Sequence, residues 1–207
     1  MARDTQSIVK MSRREGYALH PKAHKALLKR SGPPGGVATG RTARNKPSQY
    51  SMQLREKQKV KRLYGLLERQ FSNLMKEADR KEGQSGEMLL RFLELRLDNV
   101  IYRAGLAPSR RAARQLTTHG HFMLNGRRVD IPSIRVKVGD QITLRDKSKS
   151  NEYFKKIDEI SPAGEEKAIS WLKVNRKKFE IAVTGMPLRE ETEPDINEQL
   201  IVEYYSR

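Results

Sequence analysis

Cysteine is absent from all 207 residues, aromatic residues make up only 6%, and 25 Asp and Glu stand against 42 Lys and Arg. Without cysteine there is no disulfide framework, no thiolate metal site and no cysteine nucleophile, so the usual staples of a secreted domain are missing. No apolar run approaches the roughly 18 residues of a membrane span, and the opening MARDTQSIVK lacks the apolar block of a signal peptide. The expectation is a soluble, intracellular protein. A Gly-rich phosphate loop, a catalytic triad and a paired-carboxylate signature are also missing, which leaves a catalytic reading nothing to rest on. Counted with Gly and without Tyr, the apolar share is about 40%, against roughly 45–50% in ordinary globular domains. The chain can bury a modest core, as one domain with long extensions or as two small domains.

What the sequence has instead is positive charge, a formal +17, unevenly placed. Residues 1–62 hold 16 basic and 3 acidic residues, residues 63–150 hold 17 and 10, and residues 151–207 hold 9 and 12. Such a concentration attracts a polyanion, and each cation that neutralises a phosphate releases a condensed counterion. Nucleic acid is therefore the leading partner. A basic face kept only for solubility is the plainer alternative, although cationic excess without a polyanion mainly invites nonspecific binding. A membrane-surface helix fits poorly, because the Lys and Arg are interleaved with Gly, Pro and Ser rather than set against an apolar stripe.

Residues 1–48 contain SRREG at 12–16, a breaker cluster from Ser31 to Gly36, and the basic stretch from Thr39 to Lys46. With few apolar residues to bury, this segment reads as an extended basic arm that orders on its partner. From Gln53 the period is helical, with Val60, Leu63, Tyr64, Leu67, Phe71, Leu74, Met75 and Ala78 at steps of three and four. Gly65 weakens this helix and is a candidate break. A second stripe, Leu89, Leu93, Leu97, Val100 and Ile101, ends at Gly105. Ser109 is placed to cap a helix from Arg110 to Thr118, which Gly120 stops. Beyond it the period becomes two, through Phe122 and Leu124, the hairpin signal Asn125-Gly126, Val129 and Ile131, Ile134, Val136 and Val138, then Ile142 and Leu144. The expectation is a small antiparallel sheet behind a helix, a polar linker at 146–150, a short helix within 151–160 and a terminal helix after the acids at 190–195.

Arg110, Arg114 and Arg111 project from one side of the capped helix, opposite Ala112, Ala113 and Leu116. With Asn125, Arg127 and Arg128 at the hairpin tip they offer planar forks for phosphate together with amide groups. On this reading Arg110 and Arg114 are replaceable by Ala without loss of the fold. With aromatics so scarce and Phe122 patterned as core, recognition by backbone and shape fits better than base stacking. His119 and His121 flank Gly120 next to the arginine helix, where phosphate or base contact competes with ordinary helix-end roles. His20 and His24 are a helical turn apart, but no further ligands complete a metal site.

The string RLDNVIYRAGLAPSRRAARQLTTHGHFMLNGRRVDIPSIRVKVGDQITL at 96–144 resembles the small RNA-binding module named after small-subunit ribosomal protein number four. Pseudouridine synthases, some tRNA synthetases and heat-shock RNA-binding proteins also carry that module. SRREG at 12–16, QLREKQKVKRLYGLLERQF at 53–71 and DINEQLIVEYYSR at 195–207 extend the resemblance to the bacterial ribosomal family over nearly the whole chain. The resemblance implies a structural constituent of the small ribosomal subunit, not an enzyme. Such a protein binds the five-prime domain of small-subunit rRNA, nucleates assembly and contributes to translational accuracy near the mRNA entry side. The implied partners are small-subunit rRNA, neighbouring small-subunit proteins and mRNA, with no membrane and no cofactor. The alternatives are an RNA-modifying enzyme, for which the 50 or so residues after the module leave little room, and a free mRNA-binding regulator.

The fold class expected is α+β: a basic arm at 1–48, a helical domain at 49–95 completed by 175–207, and an α/β RNA-binding module at 96–160. The candidate RNA-binding residues are Arg13, Arg14, Arg41, Arg44, Lys46, Arg55, Lys57, Lys59, Lys61 and Arg62 from the basic first third. From the module the resemblance implies Arg103, Ser109, Arg110, Arg114, Gln115, His119, His121, Asn125 and Arg127, to which helix geometry adds Arg111. Arg96 and Asp98 are expected to be structural. Two departures from the family matter. Some relatives bind zinc through four N-terminal cysteines absent here, and Pro34-Gly35-Gly36-Val37 stands where relatives carry a Pro-Gly-x-His-Gly element. Folding and RNA binding are accordingly expected to need no metal. Stoichiometric zinc in untagged protein, or loss of binding on chelation under conditions that keep the RNA folded, would refute this.

Overall fold

The computed structural model describes residues 4–30, 32–35, 47–161 and 169–206. The chain divides into two compact units, one comprising the residues up to Leu89 together with those from Asp195 onward, the other Leu90–Pro194. The α+β class expected from the sequence is the one found, with a five-stranded antiparallel sheet among the helices.

In the first unit, α1 (Ile8–Glu15) and α2 (Pro21–Lys29) precede α3 (Gln49–Leu63) and α4 (Glu68–Asp79), and α11 (Glu198–Tyr205) packs back on α3. The expectation of an extended arm is corrected here, since residues 8–29 form two helices. The local chemistry explains both. Gly16 at φ +64° ends α1 in the left-handed conformation, the His20 ring nitrogen accepts from Lys22 N to cap α2, and Pro21 takes the first helical position. Met11, Leu19 and Ala23 supply just enough burial to hold the pair down. Gly65, at φ +66°, separates α3 from α4 as the sequence suggested. At Gly86, near the start of α5 (Ser85–Glu94), an added Cβ would stand 2.9 Å from Glu198 Cβ, so the missing side chain is what lets α11 close in.

In the second unit, α6 (Leu97–Arg103) and α7 (Arg110–Thr118) pack on a sheet of order β2-β1-β3-β5-β4. Its strands are β1 (Phe122–Leu124), β2 (Arg127–Val129), β3 (Gln141–Leu144), β4 (Leu172–Asn175) and β5 (Glu180–Val183). Phe122, Ile142, Leu144, Ile181 and Val183 face Leu97, Val100, Ile101, Ala113 and Leu116 in one buried cluster. Asn125 and Gly126, at φ +50° and +78°, make the tight turn that the Asn-Gly pair signals.

Four sequence expectations change in this unit. The stripe from Leu89 to Ile101 is two helices, because the chain at 95–97 leaves the helix to pair with 134–136. Leu97 N donates to Ile134 O and Val136 N to Leu95 O, around an isolated Arg96–Arg135 bridge. The presumed linker at 146–150 begins with a short helix, α8 (Asp146–Lys149). The short helix expected within 151–160 is instead two turns, α9 (Glu152–Lys155) and α10 (Ile157–Ile160). The sheet also continues past residue 160 through β4 and β5, so residues 175–194 belong with the sheet and only those from Asp195 join the helical unit. The alternation Leu172/Val174 and Ile181/Val183 carried that signal.

Glu15 is the buried electrostatic anchor of the N-terminal helices. Its side chain is 0% exposed and ion-paired with Arg62 and, at 3.4 Å, with Arg55 of α3. Burial outweighs these arginines and holds its carboxyl above the ordinary value of 4.5. The folded state therefore retains a proton that the unfolded chain has released. Relative to a Glu15→Gln variant, the protein is expected to lose stability as pH rises from 4.5 until the carboxyl is ionised, and to hold level beyond. Urea melts of both proteins across a pH series check this. A stability advantage over the variant that grows with pH would mean that the arginines outweigh burial.

Candidate nucleic-acid interface

Helix α7 exists because Ser109 accepts from Ala112 N at its start and Ala113 and Leu116 bury its inner side. Its arginines then divide into two sets. Arg110 donates to Asn99 Oδ1 and Glu193 Oε1, both at 2.8 Å, with its guanidinium 4.6 Å from the Tyr102 ring centroid. Arg114 donates to Asp98 at 3.2 Å, and Asp98 also receives both ends of Arg96 at 3.1 and 2.8 Å. Arg103 grips Glu94 in a two-point fork at 2.9 and 2.8 Å. Asn99 donates to the same carboxylate at 2.7 Å. The side chains of Arg110 and Arg114 are each only 13% exposed. Arg103, Arg110 and Arg114, expected on the RNA face, thus serve a largely buried ionic network, and Arg96 and Asp98 are structural members of it.

Arg111, Gln115, Thr118 and His119 are the residues of α7 and its C-terminal end that face outward. At 100° per residue the first three lie within about 60° of one another. The hairpin continues this surface, with Arg127 and Arg128 exposed on β2. Gly120, at φ +70°, is what permits the approach, because a Cβ there would lie 2.6 Å from Arg128 Nε. The Arg128 guanidinium therefore rests against the C-terminal end of α7, where the helix dipole favours a cation.

Three other module candidates have structural jobs. Ser109 is buried as the α7 cap. Asn125, though exposed, spends its amide on the neighbouring chain, donating to Asp140 Oδ1 and accepting from Gln141 N, both at 2.8 Å. The His121 ring is 3.0 Å from Ser148 Oγ and packs edge-on to Phe154. Burial first, then the charges of His119 and Arg145, hold His121 below the ordinary histidine range, so it is neutral at physiological pH and suited to packing rather than phosphate binding.

The basic cluster in the second half of α3 is likewise engaged. Lys57 pairs with Glu68 at 2.6 Å beneath the Tyr204 ring, and Lys61 meets Glu68 at 3.0 Å. Lys59 pairs with Glu56 at 2.8 Å, while Arg55 and Arg62 hold Glu15. In the sequence these five look like a phosphate-binding block, but the fold gives each a carboxylate partner. Arg13 donates to Gly32 O at 3.0 Å and Arg14 is exposed. Arg41, Arg44 and Lys46 lie outside the described residues, as do Gly36 and Val37 of the altered Pro-Gly element. Among the described residues no cluster of three metal-ligating side chains occurs and no helix is long and apolar enough to cross a membrane. His20, one half of the close histidine pair, is spent as the α2 cap. The exposed cations of α2 were missed by the sequence reading, although their helical spacing was there to see.

Comparison with known proteins covers the chain end to end. A family described as ribosomal protein S4/S9 N-terminal domain matches residues 3–94, and one described as S4 domain matches residues 95–142. The chain is 49% identical to the small ribosomal subunit protein uS4 of Chloroflexus aurantiacus, 48% to that of Clostridioides difficile and 46% to that of Chlorobaculum tepidum. In each case the match spans 100% of both chains.

The two arginine sets are expected to respond oppositely to mutation, which reverses the sequence-based expectation for the inner pair. Arg110→Ala with Arg114→Ala takes two cations out of the network, although Asp98 keeps Arg96 and Glu193 keeps Arg103 at 3.6 Å. Thinning a largely buried network in this way costs up to about 3–5 kcal/mol. Arg111→Ala is a surface change worth within about 0.5 kcal/mol. Urea denaturation of the isolated variants decides it, and an unshifted midpoint for the double variant would show that the network carries little stability.

Proposed function

The chain belongs to the ribosomal protein S4 family, and from that membership we propose that it holds rRNA as a structural, non-enzymatic constituent of the small ribosomal subunit in the cytoplasm. The observation that carries the reading is the outward row of Arg111, Gln115, His119, Arg127 and Arg128, set on a helix that the buried ionic network keeps in place and on the hairpin beside it. Planar guanidinium groups on a rigid support suit two-point phosphate contact. Few aromatics are available for base stacking, so recognition rests on backbone and shape.

The proposed target is the five-prime domain of small-subunit rRNA, with roles in nucleating assembly and in translational accuracy near the mRNA entry side. Neighbouring small-subunit proteins are further proposed partners. Phosphate contacts carry no sequence information by themselves, so the same face serves for mRNA as well.

Replacing Arg111 and Arg127 together with Ala is expected to weaken binding to a five-prime-domain rRNA fragment while the melting temperature stays put. The log–log salt slope should flatten by up to about 0.7–0.9 for each phosphate that is no longer neutralised. Wild-type affinity and slope in that variant would refute the assignment of the module's RNA face.

A further inference from the structure

The carboxylates of the ionic network in the second unit are not equally committed. The side chains of Glu94 and Asp98 are 2% and 7% exposed and start from α5 and α6. Glu193 is 20% exposed and stands in irregular chain just past a 3-10 turn at Arg189–Glu191. Its Oε1 receives Arg110 Nη2 at 2.8 Å and lies 3.6 Å from Arg103 Nη2. Two guanidinium groups converging on one anionic oxygen is an arrangement that a phosphodiester oxygen fits as well as a carboxylate.

Neither arginine depends on Glu193 for its position. Arg110 is also fixed by Asn99 Oδ1 at 2.8 Å and by the Tyr102 ring, and Arg103 by its two-point fork on Glu94. The main chain of Glu193 is anchored separately, its carbonyl accepting from Arg189 Nη1 at 3.4 Å, so the side chain can turn away by rotation about its own bonds. What Arg110 does need is an anion. It opens α7, whose first turn holds no acid, and there the helix dipole disfavours a cation. The next residue, Arg111, heads the outward row, its Cα about 3.8 Å from that of Arg110. An RNA backbone seated on that row brings phosphates to the rim where Glu193 lies.

We infer that Glu193 is a phosphate surrogate: in the free protein it holds the place on Arg110 and Arg103 that an RNA phosphate takes in the complex, and it thereby sets the affinity of the module's RNA face. The inference rests on the rRNA-binding reading above. RNA must displace the carboxylate before it gains these arginines, so the charge of Glu193 opposes binding.

The test uses the full-length protein and a five-prime-domain rRNA fragment. Glu193→Gln removes the charge and keeps the shape of the side chain. Glu190→Gln, at an exposed acid of the preceding turn and outside the network, is the control for general charge. Glu193→Gln is expected to tighten binding at low salt by about threefold or more, the worth of releasing a partly exposed ion pair. The log–log salt slope should steepen by up to about 0.7–0.9, the share of one further phosphate. Glu190→Gln is expected to change both much less. Unchanged or weaker binding by Glu193→Gln, or an equal gain from Glu190→Gln, overturns the inference. A second measurement needs no variant: carbodiimide labelling of carboxylates in the wild-type protein, read by mass spectrometry, should rise at Glu193 when the RNA is added. Unchanged or reduced labelling there overturns the inference even if the variant fails to fold. Absence of any wild-type binding to the fragment would overturn the rRNA reading itself, so the two failures are distinguishable.

Discussion

A buried charge must be paired or it costs several kcal/mol, and the second unit is organised around that constraint. Glu94 is 1% exposed, and Arg103 and Asn99 meet its carboxylate. Asn99 passes the network to Arg110, Arg110 to Glu193, and Asp98 gathers Arg96 and Arg114. These links join α5, α6, α7 and the segment after β5 at fixed geometry. Rotating α7 by one residue would uncouple Arg110 and Arg114 at once, so the network sets which face of the helix looks outward.

The same constraint redistributes the charge of the chain. A formal +17 suggests a broadly cationic surface, but much of the cationic chemistry in α3 and on the inner side of α7 is spent on carboxylates within the protein. Among the cations that remain outward is the row from Arg111 to Arg128. An unpaired surface cation meets a phosphate chain at the cost of its own side-chain freedom alone. Paired ones would first have to surrender an internal partner.

Legibility in the sequence followed the range of the interaction. Ser109 as a cap, Gly65 as a break and Asn125-Gly126 as a turn were readable because each depends on a few neighbouring residues. The break between α5 and α6 was not, since its cause is the pairing of residues 95–97 with 134–136, some forty residues away. The N-terminal helices read as an arm because their burial is small and the capping role of His20 is an unusual one for that residue type. Strands β4 and β5 escaped notice for a different reason: their alternation was present, but the residues between them, Arg176 to Phe179, hold no Gly or Pro to mark a turn.

From composition and local pattern alone came the α+β class, the polyanion partner and the helix-and-hairpin pair that carries the module's candidate face. These depend on side-chain type and short spacing, which a linear string displays directly. Tertiary structure alone decided which cations are available. Arg110 and Arg111 are adjacent and chemically identical, yet one is tied to Asn99 and Glu193 and the other looks outward. The difference lies in a carboxylate 83 residues away along the chain, brought within 2.8 Å only when the sheet and the segment after it have folded.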